Sequence, residues 1–211
     1  MATTARTPAT TRANFEGSEP SPPITLRLRP VIDVTPNLLL ELSSLNDDLR
    51  LELTAEGELI VMAPAKTEIG ARNSALNAQL WFWAQQDGTG IVFDSSTGFK
   101  LKGRAVRSPD ASWMPLTRWE AVLAGEPVTY APVCPDFVVE LRSPSDRLRT
   151  LQGKMQEYLD NGTRLGWLID PKQKRVYVYR PDTSMEQIDN PQTISADPIL
   201  PGFVLDLTMI W

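Results

Sequence analysis

A chain of 211 residues with 42% hydrophobic and 22% charged residues has ordinary globular composition and is long enough for one sizeable domain. It has no histidine and one cysteine, Cys134, which excludes Ser-His and Cys-His nucleophilic catalysis, zinc or iron sites that need histidine, an intrachain disulfide and a cysteine-based zinc site. The formal net charge of −5 counts against a stable, non-specific nucleic-acid binder, whose affinity comes mostly from neutralising phosphates, but not against a site whose carboxylates stay negative until a divalent ion arrives.

Residues 1–23 are rich in Thr, Ala and Pro and read as a disordered tail; they lack the apolar stretch of a secretory signal. Residues 24–211 read as one domain. No apolar run approaches the roughly 18 residues of a membrane span, so no membrane partner is expected. The lone cysteine fits a reducing compartment, and the expected location is the cytoplasm. In "RLELTAEGELIVMA", Leu51 and Leu53, then Leu59 and Val61, alternate around Glu56-Gly57 as in a β-hairpin that Pro64 ends. "KTEIGARNSALNAQLWFWAQQ" puts Ile69, Leu76, Leu80 and Trp83 at helical spacing, with Thr67 as N-cap and Gly88 and Gly90 at the end. Asn73 falls in the same stripe, where a polar side chain needs a partner. Trp81, Phe82 and Trp83 read as core plus a dimer patch.

"IVFDSSTGFKLK" then reads as one strand or a hairpin, "VRSPDASWMP" as a short strand with a Pro-Asp pair inside it, and "TRWEAVLAG" as a short helix. In "PDFVVELRSPSD", Phe137 to Leu141 reads as a buried strand, yet Glu140 and Arg142 intrude on it. Ser145 or Asp146 caps the helix that follows. From Arg147 to Asn161, Leu148, Leu151, Met155, Tyr158 and Leu159 form its apolar face, and Gly162 follows its end. "LGWLID" is an apolar strand stopped by Pro171, "RVYVYR" alternates as another, and "PGFVLDLTMIW" fits an edge strand or a segment packed on the core. The strand–helix–strand order implies a parallel pair with a right-handed crossover. The fold class is therefore α/β: a mixed sheet flanked by helices, with an extra N-terminal hairpin.

Without histidine, acid–base or metal chemistry rests on carboxylates, lysine, tyrosine or ordered water, and a carboxylate site favours hard ions. Alternation puts Asp136, Val138, Glu140 and Arg142 on one face of their strand. Asp136 lies about 13 Å of strand rise from Glu140, too far to share an ion with it, and reads as a strand-entry residue. Asp110 lies on the preceding strand, and paired strands are about 4.8 Å apart, so it is the better partner. A structural ion pair is the plain alternative for Glu140 and Arg142, and a turn residue after proline the plain alternative for Asp110.

An acidic residue on one strand, an acid-x-basic triplet on the next and then a helix resemble the PD-(D/E)XK nuclease superfamily; here these are Pro109-Asp110 and Glu140-Leu141-Arg142. More narrowly, "RSPDASW", "PDFVVELRSPSD", "KMQEYLDNG" and "LGWLIDP", in this order, resemble a bacterial family, abundant in cyanobacteria, described as "putative restriction endonucleases". The resemblance runs from about Leu51 to the C-terminus. It implies a restriction-endonuclease-like core and an Mg2+- or Mn2+-dependent DNA endonuclease. In it Asp110 and Glu140, helped by the Leu141 backbone carbonyl, hold the ion, which polarises the phosphate and activates water. The triplet's basic residue would orient the water or offset charge. Here that residue is Arg142 in place of the superfamily's lysine, and a guanidinium cannot serve as a base. Lys154, about 90° from the centre of its helix's apolar face, is either a substitute for the missing lysine or a snorkelling side chain. Glu68 is either a further acid of the site or a solvated first-turn glutamate. A catalytically inactive nuclease-fold module is the alternative function. A symmetric homodimer fits a duplex with two strands to cut.

Overall fold

Thr35 and Pro36 open the first helix among the described residues. Thr35 is extended, its side-chain oxygen accepts the Leu38 N–H at 3.2 Å, and Pro36 needs no hydrogen-bond partner in the first turn. The structure, a computed structural model, describes residues 22–125 and 130–211, so the tail expected over residues 1–23 lies almost wholly outside the described residues. Strand β1 (Ile24–Leu26) precedes this helix, α1 (Pro36–Ser44), and β2 (Arg50–Leu53) and β3 (Leu59–Met62) follow it as the expected hairpin, with Leu51 opposite Val61 and Leu53 opposite Leu59.

Then come α2 (Thr67–Asp87), β4 (Gly90–Asp94), β5 (Phe99–Lys100), β6 (Val106–Arg107), β7 (Ala111–Pro115), α3 (Leu116–Leu123), β8 (Phe137–Leu141), α4 (Leu148–Asp160), β9 (Leu165–Asp170), β10 (Arg175–Tyr179), β11 (Glu186–Asp189), β12 (Thr193–Ser195) and β13 (Val204–Asp206). They form a six-stranded mixed sheet in the order β11-β10-β9-β8-β7-β4, a five-stranded sheet in the order β1-β3-β2-β6-β5, and a β12–β13 ribbon. Strands β8 and β9 are parallel, with Glu140 opposite Leu168, and α4 connects them. The other pairs in the large sheet are antiparallel.

Helices cover both faces of the large sheet. On one face Leu76, Leu80 and Ala84 of α2 pack with Val139, Leu141, Trp167 and Ile169, and the C-terminal residues Phe203, Leu205, Leu207 and Ile210 close the same cluster. On the other, Met155 and Tyr158 of α4 pack on Val138, Leu168, Met114 and Tyr177. A Cβ at position 166 would run into the Met155 methyl, so Gly166 lets α4 lie close on the sheet. A third, smaller cluster under α1 contains Val34, Leu39, Leu53, Leu59 and Val106.

Several local expectations change. "IVFDSSTGFKLK" is neither one strand nor a hairpin, because β4 and β5 belong to different sheets. "VRSPDASWMP" is two strands, not one: Ser108, Pro109 and Asp110 carry the chain from β6 in the small sheet to β7 in the large one. Pro109 has no N–H for a ladder, which favours a break there. Lys66, not Thr67, is the N-cap of α2. Arg147 is the N-cap of α4, while Asp146 Oδ2 accepts the Ser143 N–H at 2.8 Å within the preceding turn. Trp83 is partly buried against the core, meeting Trp113 edge-on at 5.9 Å, whereas Trp81 and Phe82 are exposed. No helix among the described residues is long and apolar enough to cross a membrane.

Candidate active site

The break at Pro109 places Asp110 at the mouth of β7. One step inward, Ala111 pairs with Val139; the same antiparallel register continued outward sets Asp110 across from Glu140. Asp110 is fixed in this position by groups from three directions. Its Oδ2 accepts the Leu141 N–H at 2.8 Å, its backbone carbonyl accepts Asn77 Nδ2 at 2.9 Å, and its Oδ1 is touched at 3.4 Å by Arg50 Nη1 and by Asn73 Nδ2. One carboxylate oxygen is therefore held firmly and the other loosely.

Glu140 is buried and points to the α4 side of the sheet. Its Oε1 accepts the Tyr158 hydroxyl at 2.9 Å and lies 2.9 Å from Lys154 Nζ. The same ammonium lies 2.9 Å from Glu52 Oε1, so Lys154 bridges a carboxylate of the large sheet and one from β2 of the small sheet. Glu52 also accepts the Ser108 N–H at 3.1 Å and ion-pairs with Arg107 at 3.2 Å; Arg107 in turn lies 2.6 Å from Glu157.

These surroundings set the charges. Burial pushes the Glu140 carboxyl up, Lys154 opposes this, and the Asp110 and Glu52 charges raise it again, to about 7. Burial would raise Glu52 too, but Lys154, Arg107 and Arg50 together outweigh it and hold that carboxyl at about 2. Burial alone would lower Lys154, yet Glu140 and Glu52 keep it above its ordinary value, as an ammonium. Burial, reinforced by the Glu140 and Glu52 charges, pushes the Tyr158 hydroxyl well up, so it donates as a neutral phenol.

The structure thus brings together Asp110, Glu140, the Leu141 backbone and Lys154. It does not bring Arg142 to them: Arg142 Nη1 lies 2.5 Å from Asp170, which is 1% exposed, and its Nε donates to the Asp146 carbonyl at 3.2 Å. Glu68 stands in the exposed first turn of α2 with Arg72 at 2.7 Å. Asp136 is buried against Arg118. Sequence reasoning missed Glu52, Arg50, Arg107 and Asn77. Glu52, between Leu51 and Leu53, is the same charged intrusion as Glu140, but alternation alone reads it as the wet side of a hairpin.

The donor set suits a hard divalent ion. Asp110 and Glu140 offer carboxylate oxygens, Asp110 Oδ1 is only loosely engaged, and magnesium commonly binds through one or two carboxylates while keeping several waters. Among the described residues no group of three or more His, Cys, Asp or Glu side chains is placed to hold a metal. An ion here would therefore rest on these two side chains, backbone and water.

The profile of the Uma2 family, described as "putative restriction endonuclease", matches residues 36–208. The chain belongs to the Uma2 family. Among solved structures, a "putative nuclease belonging to DUF820" from Anabaena variabilis superposes with a TM-score of 0.69 at 20% identity, over 84% of this chain and 97% of that one. It shares the fold. No curated protein matches. Within the Uma2 match fall both sheets' contributions to the site, from Arg50 and Glu52 to Lys154 and Tyr158.

Proposed function

We propose that this chain is a divalent-metal-dependent endonuclease of the PD-(D/E)XK type that hydrolyses phosphodiester bonds in DNA. The observation that carries the reading is Asp110 set across from a buried Glu140 whose Oε1 is met by Lys154. Asp110, Glu140 and the Leu141 carbonyl would hold Mg2+ or Mn2+. Such an ion supplies Lewis-acid polarisation of the phosphate and of an attacking water. Leu141 N–H fixes the rotamer of Asp110, and Tyr158 that of Glu140. Lys154 takes the place of the triplet's basic residue. As an ammonium it orients the water and offsets negative charge in the transition state. Arg142, held on Asp170, does neither. The reading places the enzyme in the cytoplasm and leaves open a homodimer for double-strand cutting.

Plasmid nicking with Mg2+, Mn2+ or EDTA tests this. Nicking that needs metal and falls at least a hundredfold in both Asp110→Asn and Glu140→Gln is expected, given the size of electrostatic contributions to such steps. Nicking that survives unchanged in both variants would sink the proposal. A second reading, a nuclease-fold binding or assembly module, is favoured by the closed Glu52–Lys154–Glu140 network and the acidic chain. Duplex binding with no metal-dependent cleavage at any pH between 6 and 9 would select it.

A further inference from the structure

Arginines around the site fall into two groups. Arg107, Arg118 and Arg142 are each committed to a carboxylate: Arg107 to Glu157 at 2.6 Å, Arg142 to Asp170 at 2.5 Å, and Arg118 to Asp136. Arg50 is not. Its guanidinium stands 3.4 Å from Asp110 and 3.9 Å from Glu52, both longer than the 2.7–2.9 Å typical of a charge-assisted hydrogen bond. Among the described residues its one hydrogen bond of ordinary length, 3.0 Å, goes to a neutral acceptor, the Ser108 carbonyl. Its side chain is 32% exposed, against 9% for Arg107. Its Nε is buried without a partner among the described residues.

The residues beside it share this incompleteness. Among the described residues Asn73 Oδ1 and Asn77 Oδ1 are also buried without partners, and both amides touch Asp110, but these oxygens are acceptors and the Nδ2 donors are turned to Asp110, so neither side chain serves an anion. A buried donor is rarely left unpaired, and Arg50 Nε is such a donor beside the Asp110 carboxylate. A planar fork whose charge is only loosely engaged, open to solvent beside a carboxylate pair, suits a tetrahedral oxyanion.

We propose that Arg50 forms the substrate-phosphate subsite of this centre: its guanidinium binds a non-bridging oxygen of the phosphodiester at or next to the scissile bond. This rests on the nuclease reading above for the site it serves. It also assigns to a residue of the small sheet the phosphate contact that Arg142, locked to Asp170, does not make.

The test is equilibrium binding of a fluorescein-labelled 20-base-pair DNA duplex in EDTA, where no cleavage occurs, over a series of salt concentrations. Arg50→Gln is expected to weaken binding about tenfold or more, the scale of a lost charged hydrogen bond, and to lower the slope of log K against log salt by about 0.9, one phosphate contact. Arg50→Lys keeps the charge and should keep the slope while losing part of the affinity. Arg175→Gln, at an exposed arginine of β10, two strands from β8, paired with Asp189, removes the same net charge without touching Asp110 or Glu140 and should change neither. An Arg50→Gln slope equal to that of wild type or of Arg175→Gln overturns the proposal, as does a wild type with no measurable duplex binding. If Arg50→Gln does not fold, Arg50→Lys decides: affinity equal to wild type overturns the proposal, and a severalfold loss supports it. A wild type that binds with the Arg50-dependent slope but never cuts defeats the nuclease reading alone. One that cuts with a slope indifferent to Arg50 defeats this inference alone.

Discussion

Lys154 Nζ lies 2.9 Å from an oxygen of Glu140 and 2.9 Å from an oxygen of Glu52, yet the two carboxyls titrate far apart, at about 7 and about 2. The difference lies in their other neighbours. Glu52 also has Arg107, Arg50 and the Ser108 N–H; Glu140 has a neutral phenol and two more acids nearby. For Glu52 the folded value lies below the unfolded one, so its stabilisation is fully present above about pH 4.5 and is lost as the pH falls toward 2. That loss is on the order of 3 kcal/mol from a shift of this size. Urea unfolding of the metal-free protein between pH 6 and pH 3 should show it, and Glu52→Gln should be less stable at pH 6 with a flatter acid limb. Equal acid limbs in the two proteins would contradict the assignment. Glu140 has the opposite sign: its folded value is raised, so its contribution is complete below about pH 4.5 and disappears as the pH rises through 7. Glu140→Gln should accordingly flatten the stability curve between pH 5 and 8.

At the scale of elements, β8 and β9 with α4 between them were readable, because two apolar runs flank a helix whose apolar residues recur at helical spacing. The facing of Asp110 and Glu140 was readable too, since strand spacing and strand rise decide between Asp110 and Asp136. What could not be read is what covers a face. Alternation put Glu140 and Arg142 on one side of β8, but Arg142's partner, Asp170, comes from the neighbouring parallel strand, and nothing in the spacing names it. The strands β5 and β6, two residues each, carry too few positions for a period. Helix α1 had a signal in Thr35-Pro36 that reading for apolar stripes passed over. The Arg142–Asp170 pair leads to a prediction at this scale. Arg142→Ala leaves Asp170 buried and uncompensated and should cost about 3–5 kcal/mol in denaturant unfolding. Arg142→Lys keeps a charge but loses the fork that also reaches the Asp146 carbonyl, and should cost about 1–2 kcal/mol, the scale of a hydrogen bond to a charged group. Its nicking rate, per folded molecule, should match wild type, because Arg142 stands apart from Asp110 and Glu140. A fall of tenfold or more would return Arg142 to the site.

Across the whole molecule, the site lies where two sheets of unequal size meet. The large sheet is packed on both faces, while the small one rests on the cluster of Val34, Leu39, Leu53, Leu59 and Val106. Yet β2 of the small sheet supplies Glu52, which holds Lys154, and Arg50, which reaches Asp110. The chemistry therefore depends on the layer with the smaller core. Leu39, the fully buried residue of α1, is not itself a site residue and tests this dependence. Leu39→Ala should cost about 2–5 kcal/mol by removing buried methyl groups and leaving a cavity. Because proteins open in units whose stabilities differ, hydrogen exchange should speed up first in β2 and β3, with β8 and β9 protected as in wild type. Nicking should fall with the protection of β2, through loss of Lys154 and Arg50 placement, while Asp110 and Glu140 stay on an intact large sheet. Uniform loss of protection in both sheets would mean that they unfold as one unit. Full activity with β2 unprotected would mean that the small sheet has no part in the site.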